Sequence, residues 1–173
     1  MEKKYWFLAI GIFWLAIIIG FIGFKEFTLR TGQEVLLKTQ PVDPRDLFRG
    51  DYVILNYQIS TLDLDSLQSD FRDFKDDQYV YVSLDLADGY GAPAKISRNA
   101  PEEGLYLKGK VIDSMNSRLA VSYGIESYFV PEGEGREIER YTGRGLDVKV
   151  SIDKFGNAVI KSLLVDGKEV SFE

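Results

Sequence analysis

The hydrophobic pattern changes once along this chain, from continuous to alternating. From Tyr5 to Phe24 the sequence YWFLAIGIFWLAIIIGFIGF contains no charge, proline or side-chain amide. Twenty helical residues at 1.5 Å each match the roughly 30 Å hydrocarbon core of a bilayer. The pattern predicts a transmembrane anchor at 5–24, a tail at 1–4 and a juxtamembrane linker at 25–32. Tyr5 and Trp6 suit a membrane interface, and Trp14 lies deeper. A cleaved signal peptide has a shorter apolar region ending at a small-x-small site, and Gly20 to Lys25 offers none. Gly20 and Gly23 are three apart, so no GxxxG motif predicts self-association of the helix.

Beyond residue 32 the apolar positions recur every second residue, the period of a half-buried strand. Strands are expected at 34–39, 51–59, 79–84, 94–97, 105–112, 119–123 and 127–130. Within 51–59, Val53, Leu55, Tyr57 and Ile59 share one face. The last thirty residues read as a meander: 148–152, a turn at 153–157, 158–165, the turn Asp166-Gly167, and 169–172. Asp-Gly between apolar runs fits a two-residue hairpin turn that needs positive φ twice. Two short helices are expected. One covers 61–74, where Leu64, Leu67, Phe71 and Phe74 fall at helical spacing behind Asp63 as N-cap. The other covers 136–141. Residues 33–173 are therefore expected to form a mainly β domain, a β-sandwich or partly open β-barrel with two short helices.

Composition narrows the chemistry. The chain has no cysteine and no histidine, which excludes thiol catalysis, disulfides, thiolate or imidazole zinc sites and Ser-His-Asp catalysis. Residues 31–173 hold 17 Lys and Arg against 25 Asp and Glu, a net charge of −8. Such a domain is not expected to take nucleic acid or an anionic lipid surface as its main ligand, and the repulsion is expected to keep it off the headgroups. Lys3 and Lys4 before the helix, against Lys25 and Arg30 diluted by Glu26 after it, place the N-terminus in the cytoplasm. The domain is then expected to face the periplasm or the extracellular space, with the cytoplasmic membrane holding residues 5–24.

The densest punctuation is PVDPRDLFRGDYVILNY at 41–57. Pro41 and Pro44 keep the chain extended and remove backbone donors, and Gly50 permits a turn before the strand. Asp51 shares the parity of Val53, so its carboxylate needs a buried partner such as backbone N–H groups, Arg45 or Arg49. Tyr52 faces the other way. The stretch is read first as a turn clamped by Asp51. Arg45, Arg49, Asp51 and Tyr52 are the residues of an alternative polar binding surface.

This stretch resembles the signature of the GDYXXLXY family of membrane-anchored bacterial proteins, with Gly50, Asp51, Tyr52, Leu55 and Tyr57 at the named positions. The resemblance extends to Tyr128-Phe129-Val130-Pro131-Glu132-Gly133-Glu134-Gly135 and to the single anchor. It implies an accessory extracytoplasmic β domain, of a kind often encoded beside multi-pass membrane proteins. It carries over no catalytic residue.

Two further stretches are candidates. Residues 131–140 place Glu132, Glu134, Glu137 and Glu139 beside flexible glycines, suited to a cation or a basic partner. They are read first as a loop feeding a helix. The acidic run Asp63 to Asp77 lacks the spacing of a calcium loop and reads as a solvated helix face. Asp113-Ser114-Met115-Asn116-Ser117 reads as a hairpin loop and not as a Ser-Lys protease motif. No metal or cofactor is expected. The leading expectation is a membrane-tethered domain that binds a multi-pass envelope protein. The alternative is a carboxylate-based hydrolase, or a small-ligand or cation-binding protein, for which Asp51 would face a second acid across a cleft.

Overall fold

The computed structural model describes residues 3–41 and 52–171, apart from the side chains of Lys3, Arg136 and Glu137. In chain order come α1 (Lys3–Thr31), β1 (Gln33–Lys38), β2 (Tyr52–Ile54), a 3-10 turn (Gln58–Ser60), β3 (Thr61–Asp63) and β4 (Gln68–Ser69). Then follow β5 (Tyr79–Ala87), β6 (Tyr90–Ser97), β7 (Tyr106–Met115), β8 (Arg118–Ser122) and β9 (Ser127–Phe129). The chain ends in α2 (Gly135–Glu139), β10 (Leu146–Ile152), β11 (Ala158–Val165) and β12 (Lys168–Glu169). The protein is thus mainly β, with one apolar N-terminal helix long enough to cross a membrane.

Nine strands form one path, β12-β11-β10-β1-β6-β5-β7-β8-β3, with β4 added beside β6. Its end strands do not pair, so the sheet is not closed into a barrel. Most pairs are antiparallel. The exceptions are β1 against β6, meeting at Leu36 and Tyr90, and β4 against β6. β2 and β9 form a separate two-stranded ribbon. Alternation places Val35 and Leu37, Val80 and Val82, Leu107, Val148 and Val150 in one continuous core.

The turns follow from backbone chemistry. Asp166 and Gly167 both have positive φ (49° and 77°), as the Asp-Gly signal requires. The same dipeptide at Asp88-Gly89, with φ of 52° and 83°, joins β5 to β6 and makes one hairpin of two strands that alternation alone leaves separate. That hairpin carries a bulge near Pro93, where the ring has no N–H to give the ladder. The expected loop 113–117 is shorter than its sequence suggests: β7 runs to Met115 and only Asn116 and Ser117 turn.

The expected helix over 61–74 is not formed. Leu62 is fully buried as the centre of β3, paired with Leu119 of β8. Short polar side chains then take the backbone donors and acceptors that a helix would use. The Asp63 carboxylate accepts from Asp65 N–H at 3.0 Å, and the Ser66 hydroxyl donates to Asp63 C=O at 3.2 Å. The apolar residues still reach the core, through a tight turn followed by extended chain. Phe71 and Phe74 pack ring to ring at 4.5 Å. The acidic run is consequently not a helix face. Asp70 accepts the Arg98 backbone N–H, Asp73 pairs with the Arg98 guanidinium, and Asp77 pairs with Lys110. The second expected helix, 136–141, is present as α2, which begins one residue earlier and ends two earlier. The strand expected at 51–59 is shorter than predicted: β2 ends at Ile54, Tyr57 makes only an isolated bridge, and the 3-10 turn, not expected from the sequence, takes up 58–60.

α1 also continues through the expected linker. Its last turn is welded to β10. Thr28 is 1% exposed, and its carbonyl, which would otherwise lack a helical partner, accepts from Gly32 N–H at 2.9 Å and Ser151 Oγ at 2.7 Å. The Thr28 hydroxyl lies 3.4 Å from Asp153. Gly32 is required by space: a Cβ there would sit 2.8 Å from the Ile152 carbonyl and 2.7 Å from that of Thr28, and would strike Ser151 Oγ. Gly32→Ala should therefore lower stability by about 1–3 kcal/mol, the usual cost of overpacking, and Ser151→Ala by about 1 kcal/mol. Urea unfolding of the full chain in detergent checks both. Wild-type stability in Gly32→Ala would mean the joint is loose.

Candidate functional site

The motif strand belongs to the ribbon that stands apart from the main sheet. β2 pairs antiparallel with β9, bringing Tyr52 opposite Phe129, Val53 opposite Tyr128 and Ile54 opposite Ser127. The predicted parity holds: Val53, Leu55, Tyr57 and Ile59 are all buried, with Tyr52 and Ile54 half-buried between them. Past β2 the ladder is continued by single bonds. Leu55 N–H donates to the Glu126 carbonyl at 2.9 Å on one side. On the other, Gln40 N–H donates to the Asn56 carbonyl at 2.8 Å, beside a bridge between Thr39 and Tyr57.

Two tyrosines lock this arrangement by exchange. Tyr57, fully buried, donates its hydroxyl to the Ile125 carbonyl at 2.6 Å. Tyr123 donates its hydroxyl in the opposite direction, to the Ile59 carbonyl at 2.7 Å. Each phenol thus reaches across to satisfy a carbonyl next to the other. Glu126 organises the second segment: its carboxylate accepts from Tyr123 N–H at 2.5 Å and Gly124 N–H at 2.9 Å. Burial, reinforced by the nearby Glu126 charge, pushes both phenols well above the ordinary tyrosine range. They are hydrogen-bond donors here and not acid–base groups. Sequence reasoning placed Tyr57 in the core and missed its partner. Tyr123 ended an expected strand, and nothing in the spacing marks hydrogen bonds across 68 and 64 positions.

Thr39 anchors the same region from below. Its hydroxyl donates to the Leu146 carbonyl at 2.6 Å and accepts from Gly143 N–H at 2.9 Å. α2 packs over β2 with Ile138 buried beneath it.

The polar candidates divide. Arg45, Arg49, Gly50 and Asp51 lie outside the described residues. Tyr52 is half-buried with its ring 6.0 Å from that of Phe129, at an interplanar angle of 55°. Phe129 is 80% exposed, the most exposed large apolar side chain outside α1 among the described residues. Glu132, Glu134 and Glu139 are exposed on the loop and helix that follow β9 directly. The structure therefore sets Tyr52, the described residue of the first candidate set, beside Phe129, which lies two positions before the acidic stretch begins. Among the described residues, no group of three or more carboxylates converges as a metal site would. Phe129 was not singled out from the sequence. Its alternation with buried Val130 was a usable signal.

A family model described as GDYXXLXY protein matches residues 14–163, most of the chain. No curated protein and no solved structure matches it.

Removing either phenolic hydroxyl leaves a buried carbonyl unpaired. Tyr57→Phe and Tyr123→Phe should each lower unfolding free energy by about 1–3 kcal/mol, read by urea unfolding. A pH effect follows with a definite sign. The folded-state pKa of both groups is raised, so above about pH 10 the unfolded chain releases protons that the native chain keeps. Their stabilisation is complete below pH 10 and is lost as pH rises beyond it, by up to about 1.4 kcal/mol per pH unit for each group. Unfolding midpoints between pH 9 and 11.5 should fall less steeply in the double Phe variant. Parallel curves would contradict this.

Proposed function

The chain belongs to the GDYXXLXY family, and on that premise we propose that it is a membrane-anchored accessory domain that binds a multi-pass envelope protein. In this reading residues 5–24 sit in the bilayer and the β domain faces the periplasm or the extracellular space. The docking surface is the aromatic pair Tyr52 and Phe129, bordered by Glu132, Glu134 and Glu139. The observation that carries it is Phe129. An 80% exposed phenylalanine in an ordered strand pair is the type of aromatic anchor that interfaces bury. The acidic border suits a partner loop with basic residues, and would favour encounter at low salt. Tethering by one helix raises the local concentration of the domain at the membrane, so the interface need not be large.

The experiment is site-specific photocrosslinking from position 129 in native membranes. The expected result is a discrete adduct with a membrane protein, strongly reduced when Glu132, Glu134 and Glu139 are all changed to Lys. Crosslinking no stronger than from the exposed but unrelated position 65 would sink the assignment.

A further inference from the structure

Where α1 meets the sheet there is a cleft of about 550 Å³, within the range of small-molecule sites. One wall is the end of the apolar helix, Phe24 and Phe27. The other is formed by Glu102 and Glu103 and by the β10–β11 turn with Lys154 and Phe155. Its height along the helix is fixed by the joint at Thr28, since Ser151 and Gly32 hold that carbonyl. If residues 5–24 fill the ~30 Å hydrocarbon layer, residues 25–31 rise about 10 Å beyond it, the depth of the headgroups. The cleft then opens at headgroup level.

We propose that this cleft seats a zwitterionic phospholipid from the surrounding leaflet, a proposal that rests on the reading of α1 as a membrane anchor. Three rings carry the apolar part. Phe24, Phe27 and Phe155 are 43%, 63% and 55% exposed, a costly arrangement in water and a favourable one at a bilayer interface. The β10–β11 turn is held in place from both sides: Tyr106 donates its hydroxyl to the Lys154 carbonyl at 2.8 Å, and the Asp153 carboxylate accepts from Phe155 and Asn157 N–H groups. The Lys154 ammonium stands 5.0 Å over the Phe155 ring, at the cleft, where a phosphate would pair with it. Glu102 and Glu103 face a headgroup ammonium. A headgroup with phosphate but no ammonium meets two carboxylates there, which selects against purely anionic lipids.

The chain supplies its own probes. It has no cysteine, and its only tryptophans, Trp6 and Trp14, are in α1. The full chain would be reconstituted in vesicles of equal parts phosphatidylcholine and phosphatidylglycerol, with one or the other carrying a nitroxide near the headgroup. A polarity-sensitive fluorophore would be attached at Pro101→Cys on the cleft rim, with Asp65→Cys, beyond β3 at the far edge of the sheet, as reference. The expected result is stronger quenching at 101 than at 65, with the phosphatidylcholine nitroxide favoured about fivefold, the scale of one charge near a membrane surface. Glu102→Gln with Glu103→Gln should abolish that preference. Tryptophan quenching reports separately that α1 is inserted. Quenched tryptophans with no excess at 101, with equal quenching by both lipids, or with a preference surviving the double Gln change, overturn the lipid site and leave the anchor standing. Unquenched tryptophans overturn the anchor and the lipid site together.

Discussion

The crossed hydrogen bonds of Tyr57 and Tyr123 are the constraint on which the rest of this domain depends. The β2–β9 ribbon is only three residues long on each side. An isolated two-stranded ribbon of that length is not stable in water. It persists because each tyrosine ring fills the core while its hydroxyl satisfies a carbonyl of the other segment. Both ends of the exchange must be present, since a lone buried hydroxyl or carbonyl costs more than the pair contributes. Leu55 adds one more bond to Glu126. Two of the five signature positions, Leu55 and Tyr57, thereby acquire a physical purpose in joining strand to segment. Tyr52 lies on the opposite face, where the ribbon meets solvent beside Phe129.

The helix joint plays the same part at the other end of the molecule. A helix on a loose linker would leave the domain free to turn about it. Here Thr28, Gly32, Ser151 and Asp153 make helix and sheet one body. Orientation relative to the helix axis is then a property of the fold. The exposed aromatic Phe129 and the cleft at Phe155 are thereby held at set positions on the body that carries α1.

Much of this was legible in the sequence, for a physical reason that also explains the misses. Alternation is dictated by burial on one face, so it predicted strands β1, β5, β7, β8, β10 and β11 and the inward set Val53, Leu55, Tyr57 and Ile59. Turn chemistry is local, so Asp166-Gly167 was readable, and Asp88-Gly89 carried the same signal. The segment 61–74 misled because Leu64, Leu67, Phe71 and Phe74 are core residues at a spacing that a helix also produces. Periodicity alone cannot tell a helix from a turn followed by extended chain; Asp63, Ser66 and Ser69 decide between them. The Tyr57–Tyr123 exchange was not legible, because contacts between distant segments leave no spacing to read. For the same reason the continuation of α1 past Phe24 was missed. Lys25, Glu26 and Arg30 ended the apolar run, while the Glu26–Arg30 ion pair at i,i+4 and the docking of Thr28 kept the helix going.

Hydrogen exchange on the full chain in detergent, comparing wild type with Tyr123→Phe, tests the central claim most directly. The account predicts that residues 52–60 and 123–129 lose amide protection together, because the two segments hold each other, while β10 and β11 keep theirs. Loss confined to 123–129, with 52–60 still protected, would contradict it.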